Sequence, residues 1–161
     1  MPKIIKNIND LNKILEERAT LALKMAQKEI GDCIQESIDE YYKEKVFRGG
    51  TSATPLVYER TFKLLNSMVK TEIVKHGNTL SCEVGISDEY LNYRYPGTDG
   101  WDGVSATGYD VLTWNEENGS HGGIVDGDWR IWHEAMQTLS GDDGIMAILK
   151  SKLRKCGINV K

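Results

Sequence analysis

The chain reads as an α+β domain whose elements come in blocks: one long helix, then antiparallel strands, then helices. Three observations predict this class. Apolar residues recur at helical spacing from Leu11 to Tyr42, and no proline interrupts them. Strict alternation replaces that period between Val69 and Ile86. Helical spacing then returns from Asp128 to Cys156. Segregated blocks define α+β folds, whereas alternating strand–helix units would predict a parallel sheet. The length of 161 residues suits one domain over 1–161, with a loop insertion at about 96–128.

The first helix is expected from Asn9 to about Val46. Asn9 or Asp10 would cap it, since a short side-chain acceptor satisfies a first-turn amide. Leu11, Ile14, Leu15, Ala22, Met25 and Ala26 share one face; Ile34, Ile38, Tyr41 and Tyr42 share another. Gly31 lies between the two sets. Glycine inside a helix costs about 1 kcal/mol relative to alanine. The pattern therefore fits one helix bent at Gly31, or two helices around one core.

Residues 48–55 hold two glycines and a proline and read as a loop. Tyr58 to Ser67 reads as a short helical turn with Phe62 and Leu65 inward. Gly77-Asn78 then suits the two-residue turn of a hairpin. That turn would set Ile73 opposite Cys82, Thr71 opposite Val84 and Val69 opposite Ile86. Leu91, Tyr93 and Tyr95 continue the alternation as a third strand ending at Pro96. Val111 to Trp114 is expected as a fourth strand of a small antiparallel sheet of three to four strands. The rest of 96–128 is glycine-rich and acidic, carries no Lys or Arg, and reads as a long loop.

Helix is expected again from Asp128, with Trp129, Trp132, Met136 and Leu139 on its core face. A break at 140–144 precedes a last helix striped by Ile145, Leu149, Leu153 and Cys156. Gly157 would end it in a Schellman motif with Ile158 packed back on Leu153. Lys150, Lys152, Arg154 and Lys155 lie near that terminus, where the helix dipole favours cations.

Composition narrows the function. Hydrophobic residues at 40% and charged residues at 27% permit a core. A net charge of -4 argues against a protein living on phosphate contacts. No run reaches the roughly 18 apolar residues of a membrane span, and the first seven residues lack the apolar core of a secretory signal. Cys33, Cys82 and Cys156 match no zinc or redox spacing and read as reduced structural thiols.

No residue pattern supplies catalysis. His76 flanks the hairpin turn. His133 stands in Trp132-His133-Glu134, but Gln137 occupies the place a zinc helix of the HExxH type gives to histidine. A metal-dependent hydrolase using His121, His133 and Glu134, with Asp126 as a further ligand, is the weakest of three readings. A calcium- or sugar-binding module is the second, with Trp101, Tyr109 and Trp114 beside Asp99 or Asp102, although the EF-hand register is missing. The first is a protein-contact subunit: aromatics in an acidic, turn-rich stretch suit hot-spot anchors.

The order of motifs adds a resemblance. Leu11 to Tyr42, the segment Pro55-Leu56-Val57-Tyr58-Glu59-Arg60-Thr61-Phe62-Lys63-Leu64-Leu65-Asn66-Ser67, the hairpin Met68 to Ile86 and the closing helix from Ile145 to Gly157 carry it. Together they resemble the tail-completion, or head–tail joining, neck proteins of long-tailed bacteriophages, the putative tail-component family. Phe62 stands where that family commonly has glycine. The resemblance implies a small α+β subunit without catalytic activity or cofactor. It implies a homo-oligomeric ring, most often hexameric, between the head connector or stopper and the tail tube or terminator. Tail-terminator proteins share the fold and remain an alternative. The expected location is the virion neck, reached from the host cytoplasm during assembly. No membrane contact is expected, and genomic DNA would only pass through the lumen. Phe47, Tyr58, Arg60, Trp101, Tyr109 and Trp114 are the expected protein-contact residues.

Overall fold

A computed structural model describes residues 7–41, 63–89, 91–98, 101–119, 129–142 and 144–160, and its class is α+β. Helix α1 (Ile8–Glu40) runs for 33 residues, about 50 Å at 1.5 Å per residue. Its cap is Asn7, ahead of the expected Asn9 or Asp10: the Asn7 side chain accepts the Asp10 amide at 2.9 Å. Asp10 instead sits in the first turn, where the dipole favours an anion.

Gly31 neither ends α1 nor divides it in two. It is buried, and a Cβ there would lie 2.4 Å from the Lys70 Cε. Its lack of a side chain leaves room for the end of the Lys70 side chain across the helix.

The core gathers around the C-terminal half of α1. Ala26, Ile34, Ile38 and Tyr41 pack with Leu64, Leu91, Ile131, Leu139 and Ile148. Before Ala22, no residue of α1 is fully buried. Leu64 belongs to a single 3-10 turn (Leu64–Asn66) and is the inward residue there, while Leu65 is half-buried. Phe62, expected inward, lies outside the described residues.

The hairpin forms, with a correction to its register. Strands β2 (Val74–His76) and β3 (Thr79–Ser81) pair across Gly77-Asn78, and Gly77 has φ +60° as the turn requires. Strands β1 (Met68–Lys70) and β4 (Val84–Ile86) pair as Met68 with Ile86 and Lys70 with Val84. The expected Thr71–Val84 and Val69–Ile86 pairs are each displaced by one residue. Three residues, 71–73, oppose only two, 82 and 83, so the first strand carries a bulge. A one-residue offset turns every side chain over. Met68 therefore packs on the core with Val84 and Ile86, and Val69 faces outward.

Hydrogen bonding explains the bulge. The Glu83 amide donates to the Thr71 hydroxyl at 2.8 Å instead of the Thr71 carbonyl. That carbonyl and the Glu83 carbonyl both accept from the Gln27 side-chain amide of α1, at 2.8 and 3.1 Å.

The strands form three two-stranded antiparallel pairs among the described residues, not one sheet of three to four. The third pair joins β5 (Tyr93–Thr98) to β6 (Trp101–Ala106). β5 continues through Pro96 rather than ending there, with Pro96 opposite Gly103 at φ +77°.

Helix α2 (Gly108–Asn118) replaces both the expected strand Val111–Trp114 and part of the expected loop. Thr107 and Asp110 form a reciprocal capping box at its start, and Gly119 closes it at φ +70°. Gly108 fits because its missing Cβ would stand 1.9 Å from the Asp88 carbonyl oxygen. Residues 99, 100 and 120–128 lie outside the described residues.

Helices α3 (Ile131–Ser140) and α4 (Ile145–Lys155) both pack along α1. α3 starts later than expected, and its inward face is Ile131, Ala135 and Leu139. Trp132 thus points outward, and Trp129 precedes the helix. On α4 the fully buried residues are Ile148 and Lys152; of the expected stripe, Leu149 packs half-buried against the core and Ile145 is exposed. Lys152 buries its methylene stem and pairs its ammonium with Glu29 of α1. The Schellman end forms as expected: Gly157 has φ +78°, its amide reaches the Arg154 carbonyl, and the Ile158 amide reaches the Leu153 carbonyl.

Candidate protein-contact site

The site is built where α2 meets the start of α3. Arg130, at the N-cap position of α3, makes no capping bond with its side chain. α2 satisfies those amides instead. The Asn115 side-chain Oδ1 accepts the Ile131 amide at 2.9 Å, and a Glu116 carboxylate oxygen accepts the Trp132 amide at 2.7 Å. The Asn115 side-chain amide donates to the Trp129 carbonyl. Trp129 in turn donates its indole N–H to the Ser37 carbonyl, and the Ser37 hydroxyl donates to the Ile131 carbonyl. This buried polar network fixes α1, α2 and α3 together. A buried donor or acceptor without a partner costs about 1–3 kcal/mol, so the network is specific about geometry.

The same junction opens a cleft of about 590 Å³. Tyr109, Leu112, Thr113, Glu116 and Glu117 of α2 form one wall; Ile131 and Trp132 of α3 and Gly85-Ile86 of β4 form the others. Its lining is mostly apolar, with two carboxylates at the lip. Tyr109 is 70% exposed and Trp132 41% exposed. Large aromatics left open around an apolar cleft mark a candidate contact surface.

The expected contact residues separate. Tyr109 stands on the cleft. Trp114 is half-buried on the same helix and does not line it. Trp101 opens β6 opposite Thr98, and its side chain lies outside the described residues. Phe47, Tyr58 and Arg60 also lie outside them. Trp132, read from the sequence as core, is the residue that was missed. Its neighbours at Ile131, Ala135 and Leu139 already make a complete apolar stripe at i, i+4, i+8, which leaves Trp132 off that face.

The other candidate chemistry does not assemble among the described residues. No group of three His, Cys, Asp or Glu there is close enough to hold a metal ion. His133 is exposed and its Nε2 lies 2.8 Å from the Gln137 amide nitrogen. His121, Asp99, Asp126 and Asp128 lie outside the described residues. Cys33, Cys82 and Cys156 are free thiols. Burial pushes the Cys33 thiol up, helped by the carboxylates of Glu36, Glu29 and Asp32; burial also pushes Cys82 up. Both therefore stay protonated at neutral pH and are poor nucleophiles. No described helix is long and apolar enough to cross a membrane.

One family model, YomN, matches residues 7–155, which runs from the cap of α1 to the last residue of α4. The chain belongs to the YomN family. No curated protein and no solved structure matches it. The YomN match includes every helix and strand described above, the junction of α2 with α3 among them.

Proposed function

We propose that the chain is a structural protein of a tailed phage particle, a neck or tail-completion subunit whose ring joins the head connector to the tail tube. The observation that carries this reading is the apolar cleft with Tyr109 and Trp132 exposed beside it. A surface of that kind is unfavourable in water until another protein covers it. The exposed first half of α1, with Ile8 and Leu15 open to solvent, adds a second apolar surface of the same character. The sequence resemblance to tail-completion proteins supplies the setting in which sister subunits cover such surfaces. In this reading the chain catalyses nothing and needs no cofactor. The hexameric ring is the expected state in the particle, and DNA passes through its lumen.

The test is made on particles. Purified virions of a phage carrying this gene are analysed by quantitative mass spectrometry and imaged by electron microscopy. The expected result is the chain at ring stoichiometry, with density at the head–tail junction. Deleting the gene is expected to yield separate heads and tails. A complete particle that lacks the protein, or a deletion that leaves infectious virions, overturns the reading.

A further inference from the structure

We propose that the occupant of the cleft is the outer face of α4 from a second copy of the chain. This rests on the ring reading and names the two surfaces that join one subunit to the next. The face consists of Met146, Lys150 and Arg154, spaced i, i+4, i+8 along one side of α4. Met146 is 64% exposed, a flexible apolar side chain suited to an irregular cleft. Lys152 of the same helix faces inward and is paired with Glu29, so it takes no part.

Charge matches apolar shape. The cleft carries Glu116 and Glu117 at its lip, and the last turn of α2 beside them holds no basic residue. The carbonyl end of that helix adds partial negative charge. Arg130 is the cation nearest this lip in sequence, and its guanidinium donates to the Glu117 carbonyl oxygen. Opposite them, Lys150 and Arg154 follow Met146 along a helix whose last turn is basic. Arg154 donates to the Val160 carbonyl in its own chain, which holds the guanidinium at the surface. Complementary potentials steer and register an interface of this kind.

Position sets the two patches apart. Trp132 lies in the first turn of α3, and Met146 lies beyond its last turn. The helix between them is about 15 Å long. Trp132 and Met146 therefore stand apart on each subunit, so the contact joins two unlike patches and, repeated in one direction from copy to copy, runs head to tail. Such contacts close into rings when the rotation allows. A two-fold dimer through the cleft alone would set the Glu116 and Glu117 pairs against each other.

The test places a photo-crosslinking amino acid, p-benzoylphenylalanine, at position 146 of the full chain. Crosslinks are mapped by mass spectrometry in concentrated protein and in purified particles. Crosslinks from 146 to the 108–118 or 131–136 peptides of another copy are expected. Trp132→Ala, at an exposed site that leaves folding intact by circular dichroism, is expected to weaken self-association about tenfold or more. Lys150→Glu is expected to weaken it too, and adding Glu117→Lys to restore it. A protein found in particles but crosslinked from 146 to other surfaces or other proteins overturns this interface and leaves the neck reading standing. Crosslinking to the cleft in concentrated protein, with no protein in particles, keeps the interface and overturns the neck reading. Absence of the cleft crosslink in both preparations overturns the interface.

Discussion

Gln27 is the residue on which the sheet's attachment depends. Its side-chain amide donates to two carbonyls at the bulge: that of Thr71, and that of Glu83, which also accepts the Thr71 amide. Replacing it with leucine keeps the volume and removes both of these side-chain hydrogen bonds. Gln27→Leu is therefore expected to cost about 1–3 kcal/mol, read as a lowered urea midpoint. A midpoint equal to that of the parent would mean that water satisfies those carbonyls and that Gln27 is not the tie. The sequence does not disclose this role. On a helical wheel Gln27 follows Ala26 and precedes Lys28, as any solvated polar residue might, and its partners lie 44 and 56 positions away. At Gly31 the alternative of two helices fails for a similar reason: the neighbours of that glycine, Lys70 and Met68, are distant in sequence, and the helix continues through it.

α2 shows which elements were legible and which were not. The Schellman end of α4 was readable because all of it lies within six residues, Leu153 to Ile158. The hairpin turn was readable because Gly77-Asn78 announces it. The register below that turn was not, since the Thr71 carbonyl turns to Gln27 of α1 and the Glu83 amide takes the Thr71 hydroxyl instead. In α2 the run Val111-Leu112-Thr113-Trp114 has strand-forming side chains, and propensity outweighed the caps. Yet Thr107, Asp110 and Gly119 were local signals of a helix of this length. Those caps now make a prediction. Thr107→Ala is expected to cost about 1 kcal/mol at neutral pH. Asp110→Ala is expected to destabilise with a distinct pH dependence. The Thr107 hydroxyl first, and its amide second, hold the Asp110 carboxyl below its ordinary value of 3.8. A folded pKa lower than the unfolded one contributes stability that is fully present above the ordinary value and is lost as pH falls through the folded value. The difference between parent and Asp110→Ala is thus expected to hold across neutral pH and shrink in acid below 3.8. A difference that grows in acid would contradict the capping geometry.

The molecule is polarised along α1, and that polarity separates what keeps the fold from what the fold offers to others. From Ala22 onward α1 is held by α3, α4, β1 and β4, and its residues enter the core. Before that point it is tied by side chains at the surface. Arg18 reaches the Gly157 carbonyl, and Glu16 pairs with Lys75 on β2. Exposed ties of this kind contribute about 0–1 kcal/mol each. A helix segment that short is marginal without packing. The amides of residues 11–18 are therefore expected to exchange with deuterium through local fraying, orders of magnitude faster than those of residues 30–40, which require unfolding of the core. Hydrogen exchange read by mass spectrometry on the isolated chain checks this directly. Uniform slow exchange along all of α1 would show that the first half is packed already, and would remove it as an apolar surface left for a partner. Fast exchange in the isolated chain that slows within assembled particles would show the opposite: Ile8, Leu15 and Leu21 stay open in the monomer because their partners are supplied by assembly.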